Sequence, residues 1–146
     1  MKYYAGIGSR QTPDNILSDM KSIATDLDGI GYTLRSGGAK GADSAFEEGA
    51  TDPDIFKAYD CTGEALEMAA DYHPAWERCN SFVRKLHGRN CMIILGENLD
   101  DPVEFIVCWT VDGQITGGTG QALRMAQKLG IKVHNLAINN FQMPLL

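Results

Sequence analysis

The sequence predicts an α/β fold: a doubly wound, mostly parallel sheet with helices on both faces. Two observations predict it. Short apolar runs that suit buried strands alternate along the chain with amphipathic stretches of helical period. The glycines, 16 in number, gather at three places, each directly after a strand-like run and before a helix-like one. A parallel sheet turns from strand into crossover helix at such places, and right-handed crossovers put helices on both faces.

The elements follow in order. Lys2 to Ile7 reads as a short buried strand that breaks at Gly8-Ser9-Arg10. Thr12-Pro13-Asp14 predicts a helix start, with Thr12 as N-cap and Pro13 at the first helical position. Ile16, Met20, Ile23, Leu27 and Ile30 then form one apolar stripe, and Gly29 and Gly31 are its candidate stops. Gly31 to Leu34 begins a second strand that ends in Ser36-Gly37-Gly38-Ala39-Lys40-Gly41, followed by a short helix with Ala42, Ala45 and Phe46 on one face. Asp54 to Tyr59 is a third strand candidate, and residues 64 to 71 look helical up to His73-Pro74.

Trp76, Cys79, Phe82, Val83 and Leu86 mark a further amphipathic helix, expected to end near Gly88. Cys91 to Leu95 suits helix or strand, and helix is favoured because Val103 to Trp109 makes the better strand. That strand runs into Gly117-Gly118-Thr119-Gly120, then a helix with Ala122, Leu123, Ala126 and Leu129 stopped by Gly130, then a last strand from Lys132 to Leu136. No repeat or linker divides the chain, so residues 1–146 are expected to form one domain.

Composition bounds the function. Hydrophobic residues at 44% and charged residues at 22% match an ordinary globular protein and set disorder aside. The formal net charge of −6 argues against a nucleic-acid partner, because duplex binders show a basic face. It suits a small-molecule site, where one or two arginines are enough for a phosphate. Cys61, Cys79, Cys91 and Cys108 contain no Cys-x-x-Cys pair and read as reduced, mostly packed thiols. Met1 leads directly into a strand-like segment without a signal-peptide pattern, and no apolar run approaches the ~20 residues that span a bilayer. The expectation is a cytoplasmic protein with no membrane partner.

Ligands of such sheets bind outside the carboxyl ends of the strands, at the topological switch point. Three loops have that position: Gly8-Ser9-Arg10, Ser36 to Gly41, and Gly117 to Gly120. Glycine lets the backbone approach an anion closely, and the free N–H groups and dipole of a helix start attract it. Ser9, Ser36 and Thr119 add hydroxyls, Arg10 and Arg89 add charge-assisted donors, and Asp43 and Asp112 can accept bonds from ribose hydroxyls or a base. The candidate ligand-binding residues are Gly8, Ser9, Arg10, Ser36, Gly37, Gly38, Ala39, Asp43, Arg89, Asn90, Thr110, Gly117, Gly118, Thr119 and Gly120. His73, His87 and His134 show no ligand-like spacing, so no metal site is expected. No cofactor is expected, no catalytic residue is named, and neither a Gly-x-Ser-x-Gly elbow nor a Gly-Lys-Ser/Thr loop is present.

Gly8-Ser9-Arg10, Ser36-Gly37-Gly38-Ala39-Lys40-Gly41-Ala42-Asp43, Arg89-Asn90 and Gly117-Gly118-Thr119-Gly120 together resemble the SLOG superfamily. That group joins the Smf/DprA DNA-processing proteins and the LOG-type phosphoribohydrolases, and the resemblance runs over roughly residues 3 to 136. The Ser-Gly-x-Ala-x-Gly-x-Asp stretch looks most like the DprA arm. The resemblance implies a Rossmann-like fold, a nucleotide-type ligand, and a homodimer or higher homo-oligomer. Phe141, Met143, Leu145 and Leu146 of the tail are candidates for an apolar contact between copies.

The LOG motif is Pro-Gly-Gly-x-Gly-Thr-x-x-Glu. Here Thr116 stands for the proline, Gln121 for the threonine and Arg124 for the glutamate. Loss of that carboxylate leans the reading away from an enzyme, since glycosidic cleavage needs one, although Glu47 or Asp112 could stand in. Arg89-Asn90 keeps two residues of a DprA-type Arg-Asn-Arg run, with Cys91 in the third place. The expected function is binding, by sensing or sequestering, of a nucleotide-derived phosphate ligand; for a phage-type member that means a sponge for a signalling nucleotide. The alternatives are a nucleotide N-glycosidase and a DprA-like single-stranded-DNA-binding recombination mediator.

Overall fold

The computed structural model describes residues 1–144. Its elements are β1 (Lys2–Gly6), α1 (Asp14–Gly29), β2 (Tyr32–Ser36), α2 (Ala42–Gly49), β3 (Asp54–Ile55), α3 (Gly63–Tyr72), α4 (Ser81–Leu95), β4 (Phe105–Cys108), α5 (Gly117–Leu129) and β5 (Lys132–Asn135). The five strands form one sheet in the order β3-β2-β1-β4-β5, every pair parallel. The chain winds outward from β1 to β3, crosses back, and winds outward again from β4 to β5. This is the doubly wound, Rossmann-like arrangement, with its switch point between β1 and β4.

The strands are buried on both faces, so their side chains alternate between two cores. Tyr4, Leu34, Phe105 and Val107 pack with Met20, Ala24 and Leu27 of α1 and Phe46 of α2. Ala5, Ile106 and Cys108 face the opposite way, onto Met92 and Ile93 of α4 and Leu123 and Met125 of α5. Phe46 is fully buried and lies edge-on to Tyr4, with centroids 6.5 Å apart. Burying a ring of this kind stabilises the fold by about 2–3 kcal/mol.

Several local expectations change. Pro13, not Thr12, is the N-cap of α1; the Thr12 hydroxyl donates to the Ser9 carbonyl at 2.5 Å and closes the loop after β1 instead. The third strand is only two residues long, because Ala58–Asp60 turns into a 3-10 helix. The helix expected to begin around Trp76 and end near Gly88 starts later and runs further. Trp76–Arg78 is a separate 3-10 turn, Asn80 caps α4 by accepting from the Val83 N–H at 2.9 Å, and α4 continues to Leu95. Gly88 is interior because α3 crosses there: a Cβ at this position would lie 2.3 Å from Cys61 Sγ.

All four cysteines are free, Cys91 and Cys108 buried, Cys61 and Cys79 partly exposed. In the tail, Phe141 tilts onto Phe105 at 5.8 Å and meets His134 edge-on at 5.0 Å, so it covers the protein's own core. Leu145 and Leu146 lie outside the described residues. No helix among the described residues is long and apolar enough to cross a membrane.

Candidate functional site

The carboxyl ends of β1 and β4 open into a cleft of about 480 Å³. Its floor is the chain after β1: Ile7 donates to the Val107 carbonyl at 3.2 Å and Ser9 to the Trp109 carbonyl at 3.1 Å, so strand pairing continues into the loop. Gly8 sits in this tight run, where a Cβ would come within 2.7 Å of the Ala42 Cβ and 3.0 Å of the Trp109 carbonyl oxygen. Any side chain there would push the loop away from β4 or α2.

One wall is the start of α5. Thr116 is its N-cap but offers no side-chain bond to the first turn, and Gly117, Gly118 and Thr119 line the cleft. The first four N–H groups of a helix have no partner within the helix, and the dipole gives that end partial positive charge. Asn90 of α4 holds this turn in place, its Nδ2 donating to the Gly118 carbonyl at 3.3 Å.

The adjoining wall is one face of α4: Val83, Leu86, His87 and Asn90, with Arg89 also lining the cleft. Val83, Leu86 and His87 were not anticipated. Their spacing of three, four and seven with Asn90 is helical, and it becomes readable once residues 81–95 are drawn as one helix.

Of the expected ligand residues, Gly8, Ser9, Arg10, Ala39, Asp43, Arg89, Asn90, Thr110, Gly117, Gly118 and Thr119 line the cleft. Ser36, Gly37, Gly38 and Gly120 do not. Ser36 is fully buried and donates its hydroxyl to the Gly6 carbonyl at 2.5 Å. Gly37 presents its carbonyl to Arg89, Gly38 presents its carbonyl to the Lys57 ammonium at 3.1 Å, and Gly120 packs on the Ile115 backbone. They shape the loops from behind. Thr110 is buried and accepts from Asn135 Nδ2 at 2.8 Å.

Asp43 is the one carboxylate among the lining residues; Glu47 and Asp112 are not among them. Burial pushes its pKa up to about 6, against the pull of the Ala39 N–H, Arg89 and Lys57. Arg124, expected from the LOG resemblance to stand in a glutamate's place, is not among the lining residues, and its Nε is buried and unpartnered among the described residues. Gln121 turns inward, donating to the His87 carbonyl at 3.3 Å.

The absence of ligand-like spacing among the histidines did not predict their placement. His73, Cys79 and His87 converge, their ligand atoms all within 4.8 Å of one another. The three sit on separate segments that only the packing of α3 on α4 brings together. Burial, with the charges of His73, Arg124 and Arg89, pushes the His87 pKa down to about 4, so its ring is neutral at pH 7.

No protein-family model matches the chain, and no curated protein matches it. Among solved structures, it is similar to DNA processing protein A (DprA) from Helicobacter pylori, a structure that describes that protein's single-stranded DNA binding mode. The match has a TM-score of 0.61 at 16% identity, over 92% of this chain and 64% of that one. This chain therefore spans a little under two thirds of its neighbour, and the likeness is a DprA-like fold.

The neighbour corrects the expectation that acidic composition weighs against a nucleic-acid partner, since a protein of this fold binds single-stranded DNA. The physical reason is locality. Net charge is summed over the whole surface, whereas a phosphate meets the field within about 10 Å of it. Here that field includes Arg10, Arg89 and the start of α5.

Proposed function

We propose that this chain is a DprA-like binding domain for single-stranded nucleic acid, holding one phosphate and its nucleoside in the cleft above β1 and β4. The observation that carries the reading is the uncapped N-terminus of α5 opening on that cleft. A phosphate there takes the free N–H groups of Gly117, Gly118 and Thr119, while exposed Arg10 supplies a mobile counter-charge. Ile7, Val83 and Leu86 offer an apolar wall for a base, and Asp43 an acceptor for a sugar hydroxyl or base N–H.

Fluorescence anisotropy with a labelled oligothymidylate tests this. Binding that weakens steeply between low and moderate salt is expected, because phosphate contacts release counterions. No binding at low salt would sink it.

A second reading, capture of a free nucleotide, is supported by the size of the cleft. Its 480 Å³ falls within the roughly 300–1,000 Å³ of ordinary small-molecule pockets. Native mass spectrometry of freshly purified protein separates the two. A stoichiometric, intact mononucleotide retained through purification favours capture; gain of affinity with oligomer length favours the strand.

A further inference from the structure

His73 follows the last turn of α3, Cys79 follows the 3-10 turn Trp76–Arg78, and His87 lies within α4. Cys79 Sγ is 3.8 Å from Nε2 of His73 and 4.0 Å from its Nδ1, and the two imidazole rings are 4.5 Å apart by their centroids. Zinc bonds of about 2.0–2.3 Å in a tetrahedron space their ligand atoms by about 3.3–3.6 Å. All three donors are within reach of that geometry after shifts of about an ångström or less.

We propose that His73, Cys79 and His87 form a binding site for a divalent transition ion of borderline softness, zinc foremost. Two nitrogens and a sulfur select this class over magnesium or calcium, which require oxygen ligands. His87 supplies a second, independent observation: it is only 7% exposed, and its Nδ1 has no hydrogen-bond partner among the described residues. An ion taken on Nδ1 would satisfy a polar atom the fold otherwise leaves bare.

Two features oppose loading and set its strength. The positive charge of Arg124 acts on both histidines, and the Cys79 thiolate formed on binding offsets it. Nδ1 of His73 accepts the Ala75 N–H at 3.0 Å, a bond that an ion on either ring nitrogen displaces. Three protein ligands leave a fourth position for exchange, the pattern of an open site and not a closed structural one. His87 also lines the cleft, so a bound ion adds positive charge at that wall. The proposal does not depend on what the cleft holds.

Titration of the reduced, metal-free full chain with cobalt(II) tests it. One equivalent should bind with a sulfur-to-cobalt charge-transfer band in the near ultraviolet, and zinc should displace it. Cys79→Ser should abolish the band and weaken binding at least about tenfold. Cys61→Ser, at the other partly exposed cysteine, should leave both unchanged. Should Cys79→Ser not fold, His73→Ala on the half-buried ring serves for the affinity reading. Absence of the band at stoichiometric cobalt overturns the proposal, and so does a band that survives Cys79→Ser.

Discussion

Nη1 of Arg89 donates to the Gly37 carbonyl at 2.8 Å and to the Phe56 carbonyl at 3.0 Å, tying α4 to the ends of β2 and β3. Its Nε reaches the Leu86 carbonyl at 3.3 Å. Arg89 is 8% exposed, and a Cβ on Gly37 would fall 2.4 Å from Nη1. Arg89 therefore braces the cleft, and toward the proposed phosphate its role would be through its field and through the loop it holds.

Arg89→Lys keeps the charge but loses the planar fork: the three N–H donors of lysine sit on one nitrogen and cannot cover positions now met by both Nε and Nη1. Urea denaturation should show a loss of about 2–4 kcal/mol, since buried carbonyls are left without donors. A loss under about 0.5 kcal/mol, the range of ordinary surface changes, would mean the brace is not structural.

Gly118→Asp should separate stability from binding. Gly118 is exposed, has no positive φ, and has open space where a Cβ would go. A carboxylate in the first turn of α5 complements the helix dipole, so stability should hold or rise by about 0.3–1 kcal/mol. The same charge occupies the place proposed for phosphate, and affinity for an oligonucleotide or mononucleotide should fall at least about tenfold. Unchanged affinity would move the phosphate elsewhere.

Arg10→Gln touches an exposed side chain, so the unfolding free energy should stay within about 0.5 kcal/mol of the parent. If Arg10 meets a phosphate, oligonucleotide binding weakens and the slope of log K against log salt drops by about one. An unaltered slope would show that Arg10 makes no such contact.

Asp43 makes the protein sensitive to pH. Its carboxyl is raised from 3.8 to about 6, so the fold favours the protonated form. That contribution is fully present below about pH 3.8 and is lost as pH rises through about 6. Asp43→Asn cannot ionise. Its stability relative to the parent should therefore climb between about pH 4 and 6 and level off above, by on the order of 3 kcal/mol. Chemical denaturation of both proteins at pH 4, 5, 6 and 7.5 checks this. A difference that does not vary with pH would mean that Asp43 ionises freely in the fold.

The alternation of strand and helix, the parallel sheet, and the three loops at its carboxyl edge were legible along the chain. These depend on periodicity and on glycine after a strand, which act over a few residues. The stripe of Met20 and Leu27, both fully buried, and the glycine start of α5 were readable for that reason.

The tertiary structure alone decided what each loop faces. Ser36 and Gly37 look like ligand groups along the chain, yet Ser36 bonds across 30 residues to Gly6 and Gly37 across 52 residues to Arg89. Val83, Leu86 and His87 became a wall of the cleft only because Trp76–Arg78 breaks from α4 and lets the helix run through Gly88. His73, Cys79 and His87 meet only because α3 packs on α4. Bonds and contacts between residues far apart in the chain carry no local period, so only the packing of the elements reveals them.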